Sequence, residues 1–205
     1  DGTSGSVYLR PSREVAVEYE KLEKRYRELV RVFEDEPDKP GALRDGTRVE
    51  LGATLGLAGD LEGIRRHHAE AVGLYRTEFP FVAQRRMPTE DEQFGMYRRV
   101  LEGAGGLCVT IRTLDVGGDK PLSYLQHPHE ENPALGLRAV RLMRRHPEIL
   151  RTQLAAILRA SAHGALRILV PMVSGPEDWS WVRGEYRAVV DRLRLAGQLA
   201  GAPPP

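Results

Sequence analysis

Charged side chains follow two short apolar segments of the sequence, each with the pattern of a buried strand. Arg76 and Glu78 come directly after residues 71–75, and Arg112 and Asp115 stand at the end of the next such segment. Because neighbouring parallel strands end at one edge of a sheet, about 4.8 Å apart, we expect the two arginines to lie side by side. Their guanidinium groups would repel each other unless an anion joined them. The pattern predicts an anion-binding site and favours phosphate, whose oxygens match paired N–H donors.

The loop after Arg112 adds groups that suit an anion. Gly117 and Gly118 can expose backbone N–H groups, and Lys120 adds a point charge. The chain contains neither the GxxxxGK[ST] motif of a P-loop nor the GxGxxG motif of a dinucleotide-binding fold. The loop therefore supports a phosphate site of another type.

A second interpretation of the strand-end residues is also open. Arg76 could pair with Asp115 or Glu78 in an ion pair that only stabilises the fold. Spacing alone does not separate the two interpretations, because both require an arginine and an acidic residue at the carboxyl end of a strand.

The elements that position these side chains alternate along the chain. Short apolar segments with the length of strands are separated by longer segments with the periodicity of amphipathic helices. The alternation predicts an α/β fold with a parallel sheet and about four βα units. A (β/α)8 barrel needs eight such units, and a doubly wound sheet would also accept four. Strands are predicted at residues 48–55, 71–75, 108–113 and 166–171, and helices at 59–70, 89–104, 132–146, 147–164 and 176–200.

Two of the predicted helices begin with residues that are typical of helix caps. Thr89 with Glu92 three residues later predicts a capping box at the start of the helix 89–104. Asn132 followed by Pro133 predicts the start of the helix 132–146. These caps support the helix boundaries on both sides of the strand that ends at Arg112.

The first quarter of the chain has a different character from the rest. Residues 5–11 have the pattern of a short strand closed by a proline, and residues 12–34 form a strongly charged segment with a narrow apolar stripe. We interpret that segment as a solvated connector helix. The apolar stripe consists of Leu22, Tyr26, Leu29, Val30 and Phe33.

Composition excludes several classes of function. The chain has 205 residues and a net charge of +1, so it has no general electrostatic attraction to nucleic acid or membranes. No apolar segment is long enough to span a bilayer, and the polar start does not have the pattern of a secretory signal. Cys108 is the single cysteine, which excludes an internal disulfide and fits a reducing, cytoplasmic setting.

Five segments of the chain, in order, carry a resemblance to a known family. They are GLYRTEF, PTEDEQF, TIRTLDVGGDKPLSY, EENPALGLRAVR and RTQLAAILRASAHGALRILVPM. With them, the sequence resembles Enzyme I of the bacterial phosphoenolpyruvate:sugar phosphotransferase system, the phosphoenolpyruvate-protein phosphotransferases, over nearly its whole length. Related pyruvate phosphate dikinases and phosphoenolpyruvate synthases share the Arg-Thr-Glu motif, but RTLDVGGDKP followed by EENPALG is closer to Enzyme I.

The resemblance implies a domain organisation and a reaction. Residues 1–11 would be the tail of a phosphohistidine domain, residues 12–45 a helical linker, and residues 46–205 the first half of a phosphoenolpyruvate (PEP)-binding (β/α)8 barrel. The whole protein would move the phosphoryl group of PEP to a histidine on its own N-terminal domain. It would then pass that group to a histidine-containing phosphocarrier protein. The family also implies Mg²⁺, a homodimer and a cytoplasmic location.

The resemblance assigns site residues by their motifs. Arg76 and Arg112 correspond to the family's phosphate-binding arginines, and Arg138 corresponds to another basic position near the site, with Lys120 as a further candidate. No catalytic residue and no metal ligand of the family corresponds to a residue of this chain. Thr54 stands where the family usually has an asparagine.

We therefore expect the chain alone to be inactive and to be part of a longer enzyme. Two alternatives are open: a non-catalytic module for anion binding or assembly, and a piece of a related dikinase or synthase. Half a barrel would leave the edges of its first and last strands unpaired, so we also expect the chain to dimerise, swap elements or cover those edges in another way.

Overall fold

The computed structural model describes residues 5, 7, 9–34, 40–67, 69–117, 122–125, 131–132, 135–199 and 204. The predicted strand at residues 5–11 lies partly outside this set, and the described residues 5, 9 and 10 are in turns or bends. The predictions for Gly118 and Lys120 also lie outside the described residues. Each element below is described within these limits.

The described chain alternates between strands and helices, as the sequence predicts. Short 3-10 turns lie at Ala58–Asp60 and Ser161–His163. The strands are β1 (Gly52–Leu55), β2 (Ala71–Tyr75), β3 (Val109–Arg112) and β4 (Leu166–Leu169). The helices are α1 (Arg13–Glu34), α2 (Leu61–Arg66), α3 (Glu78–Val82), α4 (Glu90–Gly103), α5 (Val140–Arg145), α6 (Pro147–Ala160) and α7 (Pro176–Leu195).

The four strands form one parallel sheet in the order β1-β2-β3-β4. Each strand therefore lies beside the strand that precedes it in the sequence. The order does not reverse, whereas a reversal of strand order is what defines a doubly wound sheet. The prediction of an α/β fold with a parallel sheet of four βα units is confirmed for the described residues.

The strand β3 has one packed face and one open face, because its side chains alternate between the two sides of the sheet. Val109 and Ile111 are fully buried in a cluster with residues of α4 and α6, whereas Thr110 and Arg112 on the opposite face are only partly buried. The residues that α4 and α6 contribute to this cluster are Tyr97, Val100, Leu101, Ala104, Ala156, Ile157 and Ala160. The open face is the one that carries the arginine.

A second apolar cluster joins α5, α6 and α7 below the carboxyl ends of the later strands. Leu150 and Leu154 of α6 pack there with Val140 and Met143 of α5 and with Val182 of α7. Every one of these side chains is at least 95% buried, which stabilises each by about 1.5–3 kcal/mol relative to an exposed side chain. The two clusters meet at α6, so this helix is the central support of the layer beneath the sheet.

The predicted helix cap before α4 is confirmed. Thr89 accepts a hydrogen bond from the N–H of Glu92, and the Glu92 carboxylate accepts one from the N–H of Thr89. This reciprocal pair satisfies two backbone donors that a helix start otherwise leaves unpaired. The cap fixes the position at which α4 begins after β2.

The prediction of a helix over residues 132–146 is wrong for residues 135–139. The helix α5 begins only at Val140, because the preceding residues pair with the loop after β3. Arg138 forms an isolated antiparallel bridge with Gly117, and the N–H of Ala139 donates to the carbonyl of Val116 at 3.1 Å. A long-range pairing therefore replaces the local helical pattern.

The first strand and the segment after β2 also differ from the predictions. β1 comprises only Gly52–Leu55, because residues 42 and 48 form an isolated bridge of their own instead of extending the sheet. The helix α3, Glu78–Val82, was not predicted, since it has five residues and contains Pro80. Both differences concern segments too short for a periodic pattern to define.

The described side chains of the apolar stripe on the long helix α1 are exposed. Leu22, Tyr26 and Leu29 are 51%, 68% and 58% exposed. This exposure agrees with the interpretation of the segment as a solvated connector. Among the described residues, none of the helices combines the length and the apolar character that a membrane-spanning segment needs.

Candidate functional site

The register of the sheet puts two arginines side by side at the carboxyl ends of β2 and β3. Tyr75 lies opposite Ile111, so the next residues along the two strands are Arg76 and Arg112. The N–H of Arg76 donates to the carbonyl of Leu55 at 2.9 Å, which continues the pairing with β1 past the end of β2. The side chain of Arg76 is exposed, whereas that of Arg112 is 17% exposed.

Two buried carboxylates hold the Arg112 guanidinium. Its Nη2 lies 2.7 Å from Oε1 of Glu78, and its Nη1 lies 3.3 Å from Oδ2 of Asp115. The backbone N–H of Asp115 also donates to Oε1 of Glu78 at 3.2 Å, which ties the two acidic residues together. The Nε atom of Arg112 is buried and has no hydrogen-bond partner among the described residues.

Asp115 binds a second guanidinium in a two-pronged geometry. Nε of Arg138 lies 2.7 Å from Oδ1 of Asp115, and Nη2 of Arg138 lies 3.2 Å from Oδ2. Such paired N–H donors to one carboxylate fix the plane of the guanidinium as well as its position. Asp115 therefore connects Arg112 and Arg138 into one cluster.

Gly117 brings Arg138 to the site. Its φ is +118°, and a Cβ atom there would lie 2.2 Å from the Leu137 carbonyl oxygen and 2.8 Å from the Cα of Arg138. Only a glycine permits this close approach of the two backbone segments. Gly117 is buried, so its part is to admit the segment that carries Arg138, and the prediction that it opens its N–H to an anion is wrong.

The structure thus brings together two of the four predicted site residues and sets a third beside them. Arg112 and Arg138 share Asp115, and Arg76 stands next to Arg112. Lys120 lies outside the described residues. The alternative interpretation expected ion pairs of Arg76 with Asp115 or Glu78, but the described partners of these two carboxylates are Arg112 and Arg138.

A buried polar network beneath the arginines was not predicted from the sequence. The hydroxyl of Thr77, directly after Arg76, donates to the carbonyl of Arg112 at 2.9 Å. Nε2 of Gln153 in α6 donates to the Thr77 hydroxyl at 3.3 Å, and its Oε1 accepts from the N–H of Leu114 at 2.8 Å. The available signal was a glutamine on the apolar face of a helix, next to Leu154.

The two tyrosines of this region, Tyr75 and Tyr97, are neutral, and the Tyr97 hydroxyl forms hydrogen bonds with Gln93 and Gln153. Burial raises the pKa of Tyr75 to about 12, and burial also raises the pKa of Tyr97 well above its usual value near 10. The two rings meet edge to face with centroids 6.3 Å apart. Neither phenol loses its proton near neutral pH, so neither can act as a base there.

The described residues do not fit a magnesium site. No group of three or more His, Cys, Asp and Glu side chains within the described ranges could hold a metal ion. The acidic residues at the strand ends, Glu78 and Asp115, direct their oxygens at guanidinium groups. Cations of the magnesium type need several such oxygens for themselves.

The arrangement is suited to binding an anion. Among the described residues, three arginines and two carboxylates lie together at one edge of the sheet, and Arg76 has no described carboxylate partner. The exposed Arg76 and the partly exposed Arg112 can reach oxygens of a bound anion with N–H donors. Held guanidinium groups stabilise a phosphoryl group by neutralising charge on its oxygens without a cost of reorganisation.

Comparison with known proteins agrees with this geometry. Residues 31–201 match the family described as "PEP-utilising enzyme, PEP-binding domain". The chain is 43% identical over 198 residues to the phosphoenolpyruvate-protein phosphotransferase of Bacillus subtilis, covering 97% of this chain and 35% of that protein. The protein of the same name from Listeria innocua is 42% identical over 197 residues, covering 96% of this chain and 34% of the relative.

A third relative of the same name, from Staphylococcus carnosus, is 47% identical over 174 residues, which are 85% of this chain and 30% of the relative. The chain therefore spans about a third of the length of the curated relatives that it matches. The resemblance noted in the motifs is confirmed by these matches. The chain belongs to the family of PEP-utilising enzymes, whose PEP-binding domain residues 31–201 match.

Proposed function

We propose that the chain is part of a phosphoenolpyruvate-protein phosphotransferase and supplies the arginines that bind the phosphate of PEP. The whole protein moves the phosphoryl group of PEP to a histidine on its own N-terminal domain and then to a histidine-containing phosphocarrier protein. This relay starts either a sugar or a nitrogen phosphotransferase pathway in the cytoplasm. The three relatives described above are named for the first reaction.

One observation carries the proposal: a cluster of arginines at the carboxyl ends of adjacent parallel strands. Arg76 and Arg112 follow opposed residues of β2 and β3, and Arg138 reaches the same place through Asp115. In parallel α/β folds this edge of the sheet is where ligands bind. A purely structural ion-pair cluster has no need of Arg76, which is exposed and forms no ion pair with a described residue.

The acidic residues have a definite part in this proposal. Glu78 and Asp115 hold Arg112 in one orientation before the anion arrives, so little side-chain freedom is lost on binding. Arg76 remains exposed and closes on the phosphate from the other side. Positioning and charge neutralisation of this kind are most of what phosphoryl transfer requires from a protein.

The proposal includes a fold for the whole domain. Residues 46–205 form the first half of a (β/α)8 barrel, residues 12–45 a helical linker, and residues 1–11 the tail of a phosphohistidine domain. Four parallel strands in sequential order, with helices packed on one face and an arginine on the other, support the barrel. The length of the relatives supports the presence of further domains in the whole protein.

The chain alone is expected to bind PEP weakly and to be inactive. The proton donor for the product enolate, the histidine that receives phosphate and the ligands of Mg²⁺ belong to parts of the whole protein outside these 205 residues. The alternatives are a non-catalytic module for anion binding and assembly, and a piece of a dikinase or synthase. The names of the relatives favour the phosphotransferase.

Calorimetric titration of the chain with PEP and with inorganic phosphate tests the proposal. We expect a dissociation constant near 1 mM, and Arg112→Ala or Arg76→Ala should weaken binding about tenfold or more. Arg98→Ala is the matched control, because Arg98 is an exposed arginine of α4 that pairs with Glu102 at 3.4 Å. If the three variants bind like the unsubstituted chain, the strand-end arginines do not form the site.

A further inference from the structure

We propose that Gln153 is a positioning residue of the phosphate site, which sets the ends of β2 and β3 relative to each other through its side-chain amide. The inference rests on the proposed function, since it concerns the same arginines. Gln153 does not touch the anion. It acts on Arg76 and Arg112 through the backbone segments that carry them.

A single amide spans both strand ends. Oε1 of Gln153 accepts a hydrogen bond at 2.8 Å from the N–H of Leu114, two residues past Arg112. Nε2 donates at 3.3 Å to the hydroxyl of Thr77, the residue after Arg76. The Thr77 hydroxyl in turn donates at 2.9 Å to the carbonyl of Arg112. Arg76 is therefore one residue from Thr77, and Arg112 is two residues from Leu114. Gln153 holds a polar group of both Thr77 and Leu114.

The neighbours of the amide fix its orientation. The Leu114 N–H is only a donor, so it requires the oxygen end of Gln153, and Nε2 must then face the hydroxyl of Tyr97 at 3.0 Å. The Tyr97 hydroxyl donates to Oε1 of Gln93 at 3.2 Å, and Nε2 of Gln93 donates to the carbonyl of Pro88 at 2.9 Å. Nε2 of Gln153 uses its two hydrogens for the hydroxyls of Thr77 and Tyr97, and reversal of the amide would break these hydrogen bonds and the one from Leu114.

The network is shielded from water, so its hydrogen bonds control where the ends of β2 and β3 lie. Gln153 is 0% exposed, and Thr77, Gln93 and Tyr97 are each 1% exposed. A buried polar group that loses its partner cannot find water in its place, so a displaced strand end would leave unpaired groups. Because Gln153 lies in α6, which contributes to both apolar clusters, the strand ends are tied to a helix that is packed on both clusters.

Gln93 of α4 provides a matched control for Gln153 of α6. Both are fully buried glutamines that bond to the Tyr97 hydroxyl, one as donor and one as acceptor. Only Gln153 also reaches the strand ends. Gln153→Met removes three buried hydrogen bonds and Gln93→Met removes two, and only the first removes the link to the arginines. Thr77→Val, which deletes one hydroxyl and keeps the side-chain shape, is a milder variant that tests the same link.

Two measurements on the 205-residue chain decide the question. The first is the dissociation constant for PEP by calorimetry, at a temperature at which thermal unfolding shows every variant to be folded. We expect Gln153→Met and Thr77→Val to weaken binding about tenfold and Gln93→Met to leave it unchanged. The second is hydrogen exchange of the Leu114 amide by NMR. We expect it to be at least about tenfold faster in Gln153→Met than in Gln93→Met.

The outcomes of the two measurements are distinguishable. The proposal would be overturned if Gln153→Met and Gln93→Met lost the same affinity for PEP at the same loss of melting temperature. It would also be overturned if the exchange rate of the Leu114 amide were unchanged in Gln153→Met. If Gln153→Met does not fold, an unchanged dissociation constant in Thr77→Val overturns it. Failure of the unsubstituted chain to bind PEP or phosphate would instead remove the proposed function, and Leu114 exchange would still decide whether Gln153 holds the strand end.

Discussion

Asp115 forms ion pairs with two guanidinium groups, and this single carboxylate joins Arg112 and Arg138. Replacing it by asparagine keeps the shape and removes the charge, so Arg112 and Arg138 would lose their shared partner. We predict that Asp115→Asn lowers the free energy of unfolding by about 2–3 kcal/mol and weakens PEP binding. Urea denaturation and calorimetry measure the two effects. Asp191→Asn, an exposed position in α7, should change neither.

Gly117 offers a second prediction at the scale of one residue. A methyl group at this position would overlap the Leu137 carbonyl, and the φ of +118° disfavours any side chain. Gly117→Ala should therefore destabilise the chain by about 2–3 kcal/mol and move Arg138 away from Asp115. Thermal unfolding and the loss of phosphate affinity test this. A variant with unchanged stability would show that the loop pairing is unimportant.

Gly184→Ala is the control for that substitution and carries an opposite prediction. Gly184 lies inside α7, and a Cβ atom there meets nothing within 4 Å. Alanine should stabilise the helix by about 0.5–1 kcal/mol, because it lowers the backbone entropy of the unfolded chain. The same thermal unfolding experiment would record a higher melting temperature.

The sequence indicated the arginines better than it indicated their partners. Arg76 and Arg112 stood out because they directly follow apolar segments of strand length. The position of Arg138 could not follow from pattern alone, since it depends on a backbone bridge to Gly117 that spans 21 residues and on one glycine. Gln153 lies in a helix whose periodicity is otherwise apolar, so only its polarity at a buried position hinted at a function.

At the scale of elements, the start of α4 makes the stability of the chain depend on pH. Hydrogen bonds from Arg86 and from the N–H of Thr89 lower the pKa of Glu92 from near 4.5 to about 2. The folded state thus holds the deprotonated form, and its contribution to stability is complete above pH 4.5. It is lost as the pH falls from about 4.5 to about 2, when Glu92 takes up a proton in the folded chain.

Glu92→Gln tests this pH dependence. At pH 7 the variant should melt at a lower temperature than the unsubstituted chain, and the difference should disappear toward pH 2. Glu62→Gln is the control, because the Glu62 carboxylate is exposed and lies 3.8 Å from its nearest arginine, Arg66. A difference for Glu92→Gln that stays constant from pH 7 to pH 2 would show that its charge does not stabilise the cap.

Elements with strong local signals were predicted well, and elements set by tertiary pairing were not. The strand 71–75 agrees with Ala71–Tyr75, and the capping box before α4 was predicted from two residues. The helix over 132–146 was overpredicted, because residues 135–139 satisfy their backbone through Val116 and Gly117 instead. Local periodicity carries no information about such a partner twenty residues away.

At the scale of the whole molecule, the sheet has an unpaired edge on each side. Among the described strands, β1 pairs only with β2 and β4 only with β3. Apolar side chains lie exposed at the β4 edge and just beyond it, including Leu169 at 37% and Met172 at 38%. Such an edge pairs readily with another chain. We therefore predict that the 205-residue chain self-associates, which sedimentation velocity at several concentrations would detect.

Leu169→Lys tests whether the β4 edge is the surface involved. A lysine at a sheet edge opposes pairing with a second chain, so the variant should associate about tenfold more weakly. Leu195→Lys is the control, since Leu195 is 91% exposed at the end of α7 and lies away from the edge. A chain that stays monomeric at all concentrations, with edge amides protected from exchange, would contradict the prediction.

The claim that the strand-end arginines bind the phosphate of PEP is tested most directly by NMR of the arginine side chains. The Nε–H resonances would be followed during titration with PEP, and Arg112 is a favourable probe because its Nε is buried without a described partner. We predict that the resonances of Arg76, Arg112 and Arg138 shift with one common dissociation constant, while that of Arg98 does not move. Shifts that are absent from Arg76 and Arg112, or as large at Arg98, would contradict the claim.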